Sequence, residues 1–103
     1  MQAKTQVKIP VRVRIWRSKK NYIAVVTDET QRGFLRQYVG WPIEFEFNDI
    51  TIHAKLVVLK QHDLEYISVF LPRRLTPTWE KLRQRAEEYN AVVIINESDD
   101  DDG

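Results

Sequence analysis

Apolar and polar residues alternate along residues 7–17 (VKIPVRVRIWR), the most regular pattern in the chain. Alternation with a period of two predicts a β-strand with one buried side and one side facing solvent. Because Pro10 has no N–H for a ladder, the pattern predicts an edge strand or a bulge at that point. The next predicted strand, residues 21–27 (NYIAVVT), follows a turn in which Asn21 is suited to a positive φ. Residues 7–27 are therefore a predicted β-hairpin, called the N-terminal hairpin below.

The spacing changes after this hairpin and predicts a helix over residues 28–39 (DETQRGFLRQYV). Asp28 is suited to the N-cap, and Gln31 three positions later completes the pattern of a capping box. Gly40 is placed to end the helix, because glycine readily adopts the left-handed conformation common after a helix C-terminus. Gly33 costs about 1 kcal/mol inside a helix, so the pattern leaves open that part of this segment is loop.

The second half of the chain also has strands followed by a helix. Its predicted strands before that helix are residues 43–47, 50–59 and 64–71. The second helix begins at Thr76–Pro77, since threonine suits an N-cap and proline suits the first helical position. Its apolar stripe consists of Trp79, Leu82, Ala86 and Tyr89. Residues 91–96 (AVVIIN) are apolar on both sides, which predicts a central buried strand.

The predicted order of elements is ββαβ followed by ββαβ, with six strands and two helices. This order predicts an α+β fold with a mostly antiparallel sheet, or a small barrel of the cradle-loop type. A chain of 103 residues is expected to form one domain. We assign that domain to residues 1–96 and predict that residues 97–103 form a disordered acidic tail.

Charge is segregated along the chain. The first 27 residues contain seven cations and no acid. Five acids lie within six consecutive positions near the other end, namely Glu97, Asp99, Asp100, Asp101 and Asp102. The formal net charge is +1, whereas residues 1–96 alone carry 16 cations against 10 acids, or +6. A basic body with an acidic tail indicates an electrostatic role near a polyanion or a basic partner. The tail is either a solubilising end or a regulatory segment that mimics phosphates.

The N-terminal hairpin carries the candidate nucleic-acid site. The cations and the aromatic residue that form it are Lys8, Arg12, Arg14, Trp16, Arg17, Lys19 and Lys20. Cations interleaved with an aromatic ring can hold phosphates and stack on a base. The alternative is an ordinary edge strand whose outward charges prevent edge-to-edge aggregation, with Trp16 completing the core.

Three further residues are candidates for contact with a protein partner. Trp41 lies next to Pro42 in a turn, and tryptophan is enriched at interface centres, although it also fills cores. Arg73 and Arg74 form a second basic element directly before the second helix. The alternative for these two arginines is an ordinary solvated surface.

Catalytic chemistry has little support in this sequence. There is no cysteine, and the two histidines, His53 and His62, are predicted in a strand and in a turn, which does not make a structural zinc site. Glu44 and Glu46 share one side of a strand, for which a solvated surface is the expected interpretation. A Gly-rich phosphate loop and a nucleophile motif are both missing. We therefore expect a protein that is not an enzyme, with no catalytic residue, cofactor or metal site.

The composition also bears on where the protein works. The N-terminus lacks the apolar core of a signal peptide, and no apolar stretch has the length of a membrane span. We expect a soluble, cytoplasmic protein without a membrane partner. Three glycines, no cysteine and 30% charged residues are typical of thermophilic proteins.

The size of the chain, its basic β-rich body and the terminal sequence ESDDDDG together resemble a small accessory subunit of the crenarchaeal, hence archaeal, B-family DNA polymerase holoenzyme. This resemblance implies a non-catalytic protein that binds the polymerase in DNA replication and whose acidic tail competes with DNA and tempers strand displacement. The partner would then be a larger protein of a DNA-processing machine. The alternative is a stand-alone nucleic-acid-binding protein, or a barrel-type transcription regulator, that binds DNA directly through the N-terminal hairpin.

Overall fold

The alternating segments become the strands of one seven-stranded sheet in a computed structural model that describes residues 4–85 and 87–98. The strands are β1 Lys4–Ser18, β2 Asn21–Val26, β3 Pro42–Phe47, β4 Ile50–Lys55, β5 Val57–Gln61, β6 Leu64–Phe70 and β7 Tyr89–Ser98. The helices are α1 Glu29–Leu35 and α2 Thr76–Arg85, with 3₁₀ turns at Arg36–Tyr38 and Arg73–Leu75. The α+β class is confirmed, while the predicted number of six strands is wrong.

The sheet has the strand order β4-β3-β7-β1-β2-β6-β5, and every described pairing is antiparallel. The long strand β1 pairs with β7 over ten residues, from Lys4 opposite Ser98 to Val13 opposite Tyr89. Strand β7 also pairs with β3, so it is a central strand, as its apolar sequence predicts. The two edges of the sheet are β4 and β5.

These two edge strands are consecutive in the chain and are separated by a single residue, Leu56. The predicted strand 50–59 is therefore wrong, because it is two strands on opposite edges of the sheet. Leu56 is buried, its N–H donates to the Trp41 carbonyl at 3.3 Å, and its carbonyl accepts from the Gly40 N–H at 2.8 Å. Since one residue connects the two edges, the sheet curls strongly into a half-barrel.

Proline occupies a stretch of β1 that pairs on one side only. Strand β2 pairs with β1 only from Val13 onwards, so Pro10 has a ladder neighbour on the β7 side alone. The predicted edge strand is wrong for β1 as a whole, since β1 is central. At Pro10 itself, however, the strand has one open side, which is the condition that proline requires.

Both helices cover the inner face of the curled sheet. Leu35 of α1 and Trp79 and Leu82 of α2 belong to the same buried cluster as Val11 and Val13 of β1. The Trp79 indole N–H donates to the Pro72 carbonyl at 2.8 Å. The helices therefore close one face of the sheet and leave the other without a helix.

The helix boundaries differ in part from the prediction. Asp28 is the N-cap of α1, as predicted, because its carboxylate accepts from the Gln31 N–H at 2.9 Å. The Gln31 side-chain oxygen, however, accepts from the Arg12 N–H at 2.9 Å. The prediction of a complete capping box, in which Gln31 would bond back to Asp28, is therefore wrong. Tyr89, predicted on the helical stripe, is the first residue of β7, and its hydroxyl donates to the Leu82 carbonyl at 2.9 Å. Ala86 lies outside the described residues.

Three hairpin turns have two residues each and contain no glycine. Asn48 and Asp49 have φ values of 49° and 64°, and His62 and Asp63 have φ values of 52° and 66°. In the turn between β1 and β2, Lys19 has a φ of 57°, so the prediction that Asn21 adopts the positive φ is wrong. In the turns after β3 and β5 both turn residues have a positive φ, and turns of this kind match the twist of the flanking strands.

Strand β7 continues to Ser98, so residues 97 and 98, predicted as the start of the tail, have strand backbone. Residues 99–103 of the predicted tail lie outside the described residues. Within the described part, no helix has the length and apolar character needed to span a membrane.

Candidate nucleic-acid interface

The sheet face opposite the helices is called the outer face. In β1 it includes Lys8, Pro10, Arg12, Arg14 and Trp16, because the residues between them lie in the buried core. The predicted division of β1 into a buried side and a charged side is therefore confirmed. Three cations and one aromatic ring of the candidate site thus share one face of a central strand.

Aromatic side chains of a second strand join this face. Trp16 and Tyr66 of β6 form an edge-to-face pair, with ring centroids 5.1 Å apart and planes at 67°. Trp16 is directly opposite Ile23 of β2, which is directly opposite Phe70 of β6, so these three side chains share the outer face. Phe70 is 42% exposed, whereas Ile23 is fully buried. Trp16 is half-buried on this face, so it does not complete the core.

The outer face has its own buried layer beneath these rings. Val25 and Ser68 face each other on it and are 1% and 0% exposed, although they do not belong to the main core. The Ser68 hydroxyl has no hydrogen-bond partner among the described residues. The outer face therefore contains buried side chains of β2 and β6 as well as exposed aromatic rings.

Two of the arginines are held by a carboxylate that the sequence did not indicate. Glu88 lies 3.6 Å from the Arg12 guanidinium and 3.9 Å from that of Arg14. Both pairs are long and solvent-exposed, and pairs of this kind contribute roughly 0–1 kcal/mol. Glu88 therefore restrains these two arginines only weakly.

The remaining hairpin cations do not share the outer face. Arg17 is directly opposite Tyr22, on the helix side, and its guanidinium carbon lies 5.8 Å from the Tyr22 ring centroid. Its Nε also donates to the Lys19 carbonyl at 3.2 Å. Lys19 and Lys20 are exposed at the turn. The predicted seven-residue site is thus divided between the outer face and the end of the hairpin.

A polar cluster fixes α2 against the hairpin on the helix side. Glu80 accepts hydrogen bonds from Arg83 at 2.8 Å, from the Tyr22 hydroxyl, and from Gln84 at 2.9 Å. Hydrogen bonding by Arg83, followed by that from Tyr22 and Gln84, lowers the pKa of Glu80 to about 2. The hydrogen bond to Glu80 in turn raises the pKa of Tyr22. Glu80 is therefore an ionised structural group.

The predicted partner residues lie in two places. The Arg73 guanidinium donates to the Asn21 side-chain oxygen at 3.3 and 3.2 Å, which ties the start of α2 to the hairpin turn. Trp41 is 40% exposed and meets Tyr38 edge-to-face at 5.2 Å, so it is not a core residue. Arg74 is exposed and lines a groove together with the residues on either side of Leu56. Trp41 and Arg74 thus both lie near the connection between β4 and β5.

Groups suited to metal chemistry are sparse in the described part of the chain. Residues 4–85 and 87–98 contain no cluster of three or more histidine, aspartate or glutamate side chains that could hold a metal ion. Glu44 is directly opposite His53 across β3 and β4. His53 and Glu46 are exposed, as a solvated strand surface requires.

Sequence reasoning missed Tyr66, Phe70 and Glu88 as members of the candidate interface. The alternation in residues 64–70 (LEYISVF) does place Tyr66 and Phe70 on one side of a strand. It does not reveal that β6 pairs with β2. Comparisons with protein-family models, with curated proteins and with solved structures found no match to this chain.

Proposed function

We propose that this protein is a non-catalytic accessory protein that holds single-stranded nucleic acid on its outer face. One observation carries the proposal. Lys8, Arg12 and Arg14 lie on the same uncovered sheet face as Trp16 and the exposed Phe70. Cations can track the phosphates while aromatic rings stack on the bases, and this combination binds single strands with little sequence preference.

The geometry favours a single strand over a duplex. Sequence readout of a duplex uses an element that enters the major groove, usually a helix or a two-stranded ribbon. Here both helices bury their apolar residues in the core, and the cations lie on a sheet surface. Stacking requires unpaired bases, which a single strand supplies.

A role as accessory subunit of a DNA-processing complex is the second part of the proposal. The resemblance to a polymerase accessory subunit and the small size of the chain support it. Exposed Phe34 and Trp41, at 47% and 40%, flank the nearly buried Tyr38 and give an aromatic patch away from the outer face. Tryptophan in such patches is a frequent contact residue in protein interfaces. In this proposal the larger partner, a DNA polymerase, supplies the catalysis.

The position of the acidic tail limits what it can neutralise. The tail begins after Ser98, which is opposite Lys4. Arg12 lies eight residues along β1 from Lys4, about 26 Å at ~3.3 Å per residue. Four residues span at most about 14 Å, which is shorter than the distance along β1 from Lys4 to Arg12. We therefore propose that the tail acts on cations near Lys8 or on a bound partner rather than on the hairpin turn.

A salt series of nucleic-acid binding tests the first part of the proposal. Labelled single-stranded DNA, duplex DNA and single-stranded RNA are titrated by fluorescence anisotropy at several salt concentrations. The test variant changes Lys8, Arg12 and Arg14 to Ser. Loss of three phosphate contacts should reduce the magnitude of the log–log salt slope by about 2, at roughly 0.7 per contact.

The matched control removes the same charge elsewhere, by changing the exposed residues Lys60, Lys81 and Arg85 to Ser. It should leave most of the affinity in place. Trp16→Leu should weaken binding and remove any quenching of tryptophan fluorescence by the bound strand. Equal effects of the two triple variants would show that binding is diffuse, and tighter binding of duplex DNA would favour the stand-alone regulator instead.

A further inference from the structure

The edge strand β4 has free backbone groups. The N–H and carbonyl of Leu56 point towards β3, because they bond to Trp41 and Gly40 just before that strand. Backbone groups alternate in direction along an antiparallel strand, so those of Lys55, His53 and Thr51 point away from β3. Because β4 is the outermost strand of the sheet, these groups have no ladder partner among the described strands.

A groove of about 530 Å³ runs along this free edge. It is called the seam groove, and β4 residues 51–55 form one wall, with the end of β6 and Arg74 as the other. Leu71 donates its N–H to the Tyr22 carbonyl at 2.9 Å, on the β2 side, so the backbone groups of Phe70 point into the groove. An extended chain lying along this edge meets the unpaired backbone groups of β4.

The side chains of the seam groove define which chain would fit. Lys55 and Arg74 are its charged residues, and none of the described lining residues is acidic. The core side of β4 presents Ile52 and Ala54, and the opposite wall presents Phe70, 42% exposed. Residues of an added strand alternate between the two faces. Its acids would therefore lie next to Lys55 while its apolar residues face Ile52 and Ala54.

We propose that the seam groove binds an extended segment of a partner protein as an added strand, in which acidic and apolar residues alternate. Backbone hydrogen bonds to an exposed sheet edge give affinity in this mode, and pockets for alternate side chains give specificity. The added strand pairs with β4 through Thr51, His53 and Lys55. The seam groove shares Phe70 with the outer face, but this inference does not rest on the proposed nucleic-acid function.

The test uses the full-length protein and a short fluorescent peptide in which aspartate and valine alternate. Binding is followed by anisotropy, and backbone amide exchange is followed by NMR. We expect the amides of Thr51, His53 and Lys55 to become protected when the peptide binds, because they donate to the added strand. A peptide of the same composition with all aspartates before all valines should bind much more weakly.

Two perturbations separate backbone pairing from simple charge attraction. N-methylation of the peptide amides that face β4 should abolish binding, whereas N-methylation of the alternate amides should weaken it less. Lys55→Glu should reduce the affinity by at least about tenfold, since like charges then face each other. His53→Pro removes a donor on the free side only, and His53→Ala is its matched control. The peptide N-methylation arm does not depend on the variants remaining folded.

Each other outcome overturns the proposal. Binding that ignores the order of the peptide residues or the position of N-methylation would mean nonspecific charge attraction. Protection of the same amides that grows with protein concentration, without peptide, would mean that the edge pairs with a second copy. Loss of protection after deletion of residues 99–103 would mean that the chain's own tail occupies the groove. No binding at millimolar peptide would leave the edge without the proposed partner.

Discussion

Replacing Leu82 by alanine tests whether α2 is fixed to the sheet by its buried side chains. Leu82 is 7% exposed and belongs to the main core together with Trp79. Leu82→Ala removes three carbon atoms, which corresponds to about 2.4 kcal/mol at ~0.8 kcal/mol per buried methylene group.

The cavity left by this change adds to that loss. Leu82 borders a hollow of about 150 Å³ that is also lined by Trp16 and Arg83. Because long side chains beside the hollow can move in, the added cavity cost should be small. We expect a total of about 2–3 kcal/mol, in the lower part of the range of roughly 2–5 kcal/mol for such substitutions. For a domain of this size the melting temperature should fall by roughly 10–20 °C.

Guanidinium denaturation followed by circular dichroism measures this free energy of unfolding. Lys81→Ala is the matched control, because Lys81 is the exposed neighbour on the same helix and its loss should cost less than about 0.5 kcal/mol. The dependence of the free energy on denaturant should stay the same if the change acts on the folded state. A neutral Leu82→Ala variant, or equal losses in the two variants, would refute the assigned packing of α2.

Four further predictions concern turns, acid, charge and the tail. Asp49→Gly and Asp63→Gly should each raise the free energy of unfolding by up to about 1 kcal/mol, because glycine accepts positive φ without strain; denaturation curves would show it, with the Ala variants as controls. The pKa of Glu80 lies at about 2, below its ordinary value of 4.5, so its contribution to stability is present above pH 4.5 and is lost as the pH falls towards 2. The stability difference between the wild type and Glu80→Gln should therefore shrink over that interval, and a constant difference in acid denaturation curves would contradict it. Glu88→Gln should increase the affinity for single-stranded DNA by freeing Arg12 and Arg14, and an unchanged anisotropy titration would count against the outer face. Deleting residues 99–103 takes the net charge from +1 to +5 and should increase DNA affinity at low salt but little at high salt. Changing the four aspartates 99–102 to asparagine should have the same effect. If the asparagine tail inhibits DNA binding as much as the aspartate tail, charge competition is excluded.

Local pattern was enough to predict those strands whose two sides differ in character. In β1 and β3 apolar and charged residues alternate, so both the strand and its buried side follow from the sequence. Residues 50–59 are different, because the alternation of β4 runs into the apolar residues Leu56, Val57 and Val58 without a polar break. The crossing from one sheet edge to the other depends on the pairing of Leu56 with Trp41, a tertiary contact that no local pattern contains.

The candidate interface was predictable only as far as one strand extends. Period two placed Lys8, Arg12, Arg14 and Trp16 on a common side. Tyr66 reaches Trp16 across β2, and Glu88 reaches the arginines from the segment before β7, so both depend on strand order. Pairing between distant segments has no counterpart in local periodicity. For the same reason, the sequence pattern could not predict that β4 has a free edge.

The position of β7 in the sheet has a consequence for synthesis and folding. On the ribosome, β7 emerges after every other described strand, yet β4 and β3 connect to the rest of the sheet through β7 alone. Until residues 89–98 emerge, the native pairings available are those of two groups of strands, β4-β3 and β1-β2-β6-β5. The edge of β1 that pairs with β7 stays unpaired during that time, and this exposes the nascent chain to aggregation. We expect any fragment that stops before Tyr89 to remain unfolded, and folding to be a single late event in which the last strand joins the two pieces.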